Sequence, residues 1–265
     1  MRIFGRFSSI GQLVAGGLFL LLISFAVVAP AFLPDPTAQD LMRYLSAPDV
    51  VDWLGRDHYG RSVLARLAAA TRLSLGLSLL AVLISAILGC CLGLLAAYYG
   101  KWLDAILRSI ADAVLTLPPL LLVLLFAAIA QGGISMMFIG LAFSGWVEYF
   151  RMSRSTAAVV VASQHVEASR LLGFGLPYLV RRHLWPAIVP TILPMMMFGL
   201  ASNVVALATL GFVGVGVQPP TPELGQMLTE ALPHYAQAPW MIIGPMAILA
   251  ILLLSCLLWK GRHIE

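Results

Sequence analysis

The chain has 265 residues, 60% of them hydrophobic and only 11% charged, against about 45–50% and about 25% in soluble domains. That composition excludes a soluble globular enzyme and an intrinsically disordered chain. The formal charge of +4 would point to nucleic acid in a soluble protein. Here the 14 Arg and 2 Lys mostly flank apolar runs, the orientation signal of membrane proteins, and no nucleic-acid partner is expected.

Five stretches, 7–34, 73–100, 113–147, 183–222 and 231–259, contain no Asp, Glu, Lys or Arg. Each exceeds the roughly 20 apolar residues that cross a bilayer, so an all-α polytopic membrane protein with membrane lipid around it is expected. Span 1 is placed at 11–31. Arg2, Arg6 and Ala29-Pro30-Ala31 resemble a signal peptide, but the uncharged stretch from Gly11 to Leu33 is longer than the roughly 7–15 residues of a signal core, so an uncleaved span is expected. Pro30, Pro34 and Pro36 end it. The loop that follows, 34–72, holds Asp35, Asp40, Asp49, Asp52 and Asp57. At its end Val63, Leu64 and Leu67 share one helical arc opposite Arg61 and Arg72, which predicts a short helix on the membrane surface. Residues 1–72 are thereby set apart from a core of five spans over 73–265.

Span 2 is predicted at 73–98, closed by Gly100 and Lys101. Residues 101–112, with Lys101, Asp104, Arg108 and Asp112, read as an amphipathic connection. Gln131-Gly132-Gly133 divides the next run into span 3 (113–130) and span 4 (134–152), whose last turn carries Glu148 and Arg151. Span 5 is placed at 187–212. Gly211, Gly214, Gly216, Pro219, Pro220 and Pro222 mark an exit loop. Span 6 is 240–259, ended by Lys260. Six spans put both termini on one side, which then holds 11 of the 16 Lys and Arg, the other five all lying in 34–72. The positive-inside rule places the termini and 153–186 in the cytoplasm. Taking 113–147 as one tilted helix would leave the basic residues of 153–186 outside.

Chemistry is sparse. Cys90, Cys91 and Cys256 lie in apolar runs as small hydrophobes, and no Cys/His cluster marks a metal site. Lys101 and Lys260 are followed by Trp and Gly, so no phosphate-cradling loop is present, and neither GxSxG nor HExxH occurs. No catalytic residue is assigned, and the chain is not expected to be an enzyme by itself. A proton-coupled carrier would keep a deep charge, whereas Asp112 and Glu148 fall at span ends. Ser202, Asn203 and Thr209 form the main polar cluster inside a span, suited to interhelical hydrogen bonds or to lining a translocation path.

The most informative segment is 164–186. Glu167-Ala168-Ser169 precede Gly173 and Gly175, and a basic stretch from Tyr178 through Arg181, Arg182 and His183 runs to Pro186. The pattern predicts a helix ending at a glycine, a turn, and a second short helix stopped by proline. Such an elbow suits docking; the plain alternative is a solvated loop.

Glu167-Ala168-Ser169-x3-Gly173 with Arg182-His183-Leu184-Trp185-Pro186 resembles the EAA loop of ABC-importer permeases. Ser169 stands where a second Ala is usual and Trp185 where Leu is commoner. Residues 53–75 resemble the segment before the core in the second permease subunit of the dipeptide/oligopeptide/nickel group, with Arg56 in place of Thr and Ser62 in place of Asp. Phe212 to Gly225 is also similar. The resemblance covers about 10–265. It implies a type I importer permease fold in the bacterial inner membrane, translocating substrate by alternating access. It further implies a second, different permease subunit, two ATP-binding subunits carrying the ATP and Mg, and an extracytoplasmic substrate-binding protein, with no cofactor on this chain. The implied ATPase-coupling residues are Glu167, Ala168, Ser169, Gly173, Arg182, His183 and Pro186. Glu223, Glu230 and the Asp of 34–57 become candidates for binding-protein docking or, equally, a solvated rim. The group imports peptides, nickel and metal chelates; the short chain and the Asp57-His58 pair lean toward nickel. The alternative, a self-contained secondary transporter or channel, would need a deep charge, a carbonyl filter or an inverted repeat.

Overall fold

The structure, a computed structural model, describes residues 2–129 and 134–259, with side chains from Gly11 onward except Gln12. The expected break at Gln131-Gly132-Gly133, the stop at Lys260 and the side chains of Arg2 and Arg6 lie outside the described residues. Among the described residues the fold is helical, with an isolated antiparallel bridge between Arg56 and Ser62 and no strand. In chain order the helices are α1 (Arg2–Phe32), α2 (Val63–Tyr99), α3 (Lys101–Leu115), α4 (Pro119–Ile129), α5 (Ile134–Val161), α6 (Gln164–Leu171), α7 (Leu176–Leu179), α8 (Trp185–Val213), α9 (Leu224–Ala231) and α10 (Trp240–Trp259). Among the described residues four stretches are long and apolar enough to cross a membrane: Leu13–Phe32, Val63–Tyr99, Leu176–Val213 and Trp240–Trp259. The pair α3–α4, bent by 77°, would make a fifth. The expected count of six goes beyond what these lengths give, because α5 carries Glu148, Arg151 and Arg154 along its middle.

Three local expectations need correction. The surface helix before residue 73 is not separate, since α2 runs unbroken for 37 residues. Its first turns are rich in Ala and Leu, good helix formers without a Gly or Pro stop. Arg66, which a surface helix would leave in water, is instead buried and ion-paired. Span 3 is not one helix from 113: the amphipathic α3 continues to Leu115, and the chain turns at Thr116–Pro118 before Pro119 opens α4. A proline at the first helical position costs no hydrogen bond, whereas the residue before it is pushed out of the helical region. Thirdly, Pro186 does not stop a helix. A π turn, Val180–Leu184, joins α7 directly to α8, and the Trp185 N–H donates to the Val180 carbonyl five residues back. The wider turn makes room for the Pro186 ring, which in a regular helix presses on the carbonyl four residues back.

The chain forms two compact units, Met1–Leu79, Phe126–Met137 and Leu200–Glu265 in the first, Leu80–Leu125 and Phe138–Gly199 in the second. The boundary expected at 72/73 falls inside α2. In the first unit α1 and α10 pack antiparallel, Gly11 lying beside the Leu258 carbonyl. Ala15, Leu22 and Ala26 make the buried stripe of α1, the spacing of one helical face. In the second unit α2 meets α5 along Ser85, Gly89 and Gly93. A Cβ at Gly89 would stand 2.5 Å from the Trp146 carbonyl oxygen, so small residues every fourth position let the backbones touch. Ser153 Oγ donates to the Gly89 carbonyl and Ser85 Oγ to that of Ala142. Ala96, Ala111, Trp146, Val147 and Phe150 fill the space beside this seam. Asp104 on α3 receives both arms of Arg154 on α5, and Arg151 reaches Asp112.

Candidate functional site

The elbow belongs to the second unit. Helix α6 begins after Ser163, whose carbonyl accepts from the Val166 and Glu167 N–H groups. Glu167 in the first turn and Arg170 in the last both suit the helix dipole. Val166 and Ser169, three apart, are the buried face, while Glu167, Ala168, Leu171 and Leu172 face outward. The helix ends in two reciprocal bonds: Phe174 N–H donates to the Ser169 carbonyl and Gly173 N–H to that of Arg170. This closure requires a left-handed residue at its centre, and Gly173 supplies it with φ +83°.

The rest of the elbow is cross-braced. Phe174 stacks on Tyr178 at 4.1 Å between ring centroids, and the Arg170 guanidinium lies 4.8 Å above the Tyr98 ring at the end of α2. Ser169 Oγ donates to the His165 carbonyl and lies 3.1 Å from His183 Nε2. With the serine proton already given, the matching tautomer of His183 donates from Nε2. The bond ties α6 to the π turn, and alanine at position 169 could not make it. Ser169→Ala is expected to loosen the elbow by about 1 kcal/mol, the worth of one ordinary hydrogen bond. Faster amide exchange over 169–174, with the remainder of the second unit unaffected, is the result to look for. Arg182 is exposed and His183 half-buried. Leu171, Leu172, Phe174 and Tyr178 stay open to the outside, Leu171 at 85%. The elbow thus presents a carboxylate and an apolar tip on a braced frame.

Ser202, Asn203 and Thr209 lie on α8 in the first unit. Ser202 is exposed, Asn203 and Thr209 half-buried, and Thr209 Oγ1 donates back to the Val205 carbonyl. Ser202, Val205, Thr209 and Phe212 fall along one outward strip.

The two candidate docking carboxylates are elsewhere than expected. Glu223 is 1% exposed, and its Oε2 accepts the Gly225 and Gln226 N–H groups at the start of α9. Burial pushes its carboxyl above the ordinary glutamate value, although those N–H donors oppose the shift. Glu230 is engaged by two arginines.

Sequence reading missed the network that engages Glu230. Arg66 Nη1 lies 2.6 Å from both Asp57 Oδ2 and Glu230 Oε2. Arg61 contacts the same two carboxylates at 2.6 and 3.0 Å. Burial alone would raise the Asp57 carboxyl. The Arg66 and Arg61 charges and the Arg61 and Tyr59 N–H groups outweigh it and hold the carboxyl below its ordinary value. His58 stacks on His234 at 5.4 Å, and burial lowers its pKa. Asp57, His58 and Glu230 converge closely enough to hold a metal ion. The two guanidiniums already neutralise both carboxylates, so the cluster is an ion-pair lock, and the Asp57-His58 pair gives no support to nickel. The available signal was the near balance of Asp and Arg within 34–72.

Residues 89–259 match the family model described as binding-protein-dependent transport system inner membrane component. The chain is 33% identical over 252 residues to the glutathione transport system permease protein GsiD of Pectobacterium atrosepticum, covering 94% of this chain and 84% of that protein. It is 32% identical over 255 residues to the dipeptide transport system permease protein DppC of Haemophilus influenzae, covering 93% and 86%. With the nickel transport system permease protein NikC of Escherichia coli it shares 34% over 226 residues, covering 85% and 82%.

Proposed function

The chain belongs to the family of inner membrane components of binding-protein-dependent transport systems, and on that premise we propose that it is one permease subunit of an ATP-driven importer for peptides or for nickel and other metal chelates. The peptide and nickel parts of this range follow the names of its relatives; metal chelates are our extension of it. Two ATP-binding subunits hold the ATP and Mg, a second, different permease subunit completes the path, and an extracytoplasmic binding protein delivers the substrate. Both termini and the elbow face the cytoplasm, in keeping with the Lys and Arg distribution.

The observation that carries this reading is the braced elbow. A coupling element must pass on the movement of its neighbour without yielding. The glycine closure, the Ser169–His183 contact and the Arg170–Tyr98 contact supply that stiffness. Closure of the ATP-binding subunits then moves the elbow and α8 together, and the spans alternate between outward and inward access. Glu167 makes the polar contact, with Arg182 and His183 beside it, while Leu171 and Leu172 fill an apolar groove of the ATP-binding subunit.

The test is Glu167→Arg in the complete complex reconstituted in liposomes. Glu167 is exposed within this chain, so the fold is kept. Uptake and substrate-stimulated ATP hydrolysis are expected to fall at least about tenfold, because a reversed charge at a closed contact costs several kcal/mol. Unchanged uptake with the four core subunits still copurifying would refute the coupling role.

A further inference from the structure

We propose that the 40–53 segment of the first unit docks the extracytoplasmic binding protein through an apolar patch of Met42, Val50, Val51 and Trp53, framed by the Arg43–Asp49–Asp52 ion pairs. The proposal rests on the importer reading and assigns that partner a surface different from the carboxylates of α9.

The patch is unusually open. Met42 is 96% exposed, Val50 92% and Trp53 72%. It is also held in place. Arg43, beside Met42, reaches Asp49 at 2.8 Å and Asp52 at 2.9 Å. The Asp49 carboxylate accepts the Val51 and Asp52 N–H groups, a turn that turns Val50 and Val51 outward. Trp53 Nε1 donates to the Val50 carbonyl at 3.1 Å. Arg56 binds Asp52 and reaches Asp40, and its carbonyl accepts from the Trp240 indole. An ordered surface pays little conformational entropy on association.

Two partners could cover such a patch, a bilayer or a protein. Membrane-seated segments place Lys and Arg around their apolar residues to meet lipid phosphate. Over 33–62 this chain has five Asp, three Arg and no Lys, and the charges beside the patch are paired to one another. An apolar centre containing Trp and Met inside a polar rim is the anatomy of a separable protein–protein interface. The family is binding-protein-dependent by description, and the Lys and Arg distribution puts this segment on the side where that protein arrives.

Val50→Glu and Trp53→Ala test it in the complete complex held in nanodiscs, with the binding protein titrated by interferometry and by stimulation of ATP hydrolysis. Each variant is expected to weaken docking at least about tenfold, as removal of a central anchor does, with basal ATP hydrolysis unchanged. An unchanged dissociation constant for both variants overturns the proposal. Quenching of Trp53 by brominated lipid with docking intact overturns it too, in favour of the bilayer. If the unmodified complex shows no stimulation by any binding protein while Glu167→Arg leaves ATP hydrolysis untouched, the importer reading itself fails.

Discussion

Replacing Arg66 by alanine is expected to destabilise the first unit by about 3–5 kcal/mol, the cost of leaving a buried charge without its partner. Arg66 is 1% exposed and bridges two carboxylates from distant parts of the chain. After the change Asp57 and Glu230 share only Arg61, and one negative charge stays buried without compensation. The comparison variant is Asp112→Ala. Its partner Arg151 is 53% exposed and Asp112 itself 66%, so that pair is worth under about 1 kcal/mol. Thermal unfolding in nanodiscs separates the two: a large fall in midpoint for Arg66→Ala and little change for Asp112→Ala. Equal shifts would show that the buried network is not what ties the segment around Asp57 to α9.

Gly225→Ala is expected to cost about 3 kcal/mol or more, at or above the upper end of ordinary overpacking. A Cβ there would stand 1.8 Å from the Ala208 carbonyl oxygen and 2.6 Å from its carbonyl carbon. Those atoms belong to the backbone of α8 and cannot rotate aside. The Gly225 N–H also donates to Glu223, so pushing α9 away strips the cap from its first turn. Gly17→Ala is the opposite case. Nothing lies within 4 Å of its Cβ position in α1, and alanine there gains about 1 kcal/mol of helix propensity. Yield of folded protein and unfolding midpoint should move in opposite directions for the two substitutions. A tolerated Gly225→Ala would mean that α9 does not sit against α8 as described.

These contrasts also show what was readable beforehand. The charge-free runs located α1, α10 and the apolar parts of α2 and α8, because a bilayer demands length and apolarity and little else. The elbow was legible in outline since Gly173 announces its own turn. The Asp57–Glu230 lock was not, for it joins residues far apart in the chain and leaves no local periodicity. The bend between α3 and α4 was hidden inside an uncharged run, where counting charges says nothing and only Pro118-Pro119 marks it. The Pro186 expectation failed for a different reason: proline ends a regular helix, but a wider turn can carry it.

That wider turn has a consequence for comparing this chain with its relatives. Each residue of an α-helix advances the chain by about 100° around the axis, and the Val180–Leu184 turn takes up one residue more than a regular turn. The azimuth of the elbow about the α8 axis is therefore set by a residue count. A relative with a regular helix here, matched without a gap, would carry its α6 about 100° away. Residues paired by such a match would not be equivalent in space, and a chimera joined upstream of residue 180 would inherit the bearing of whichever parent supplied the turn.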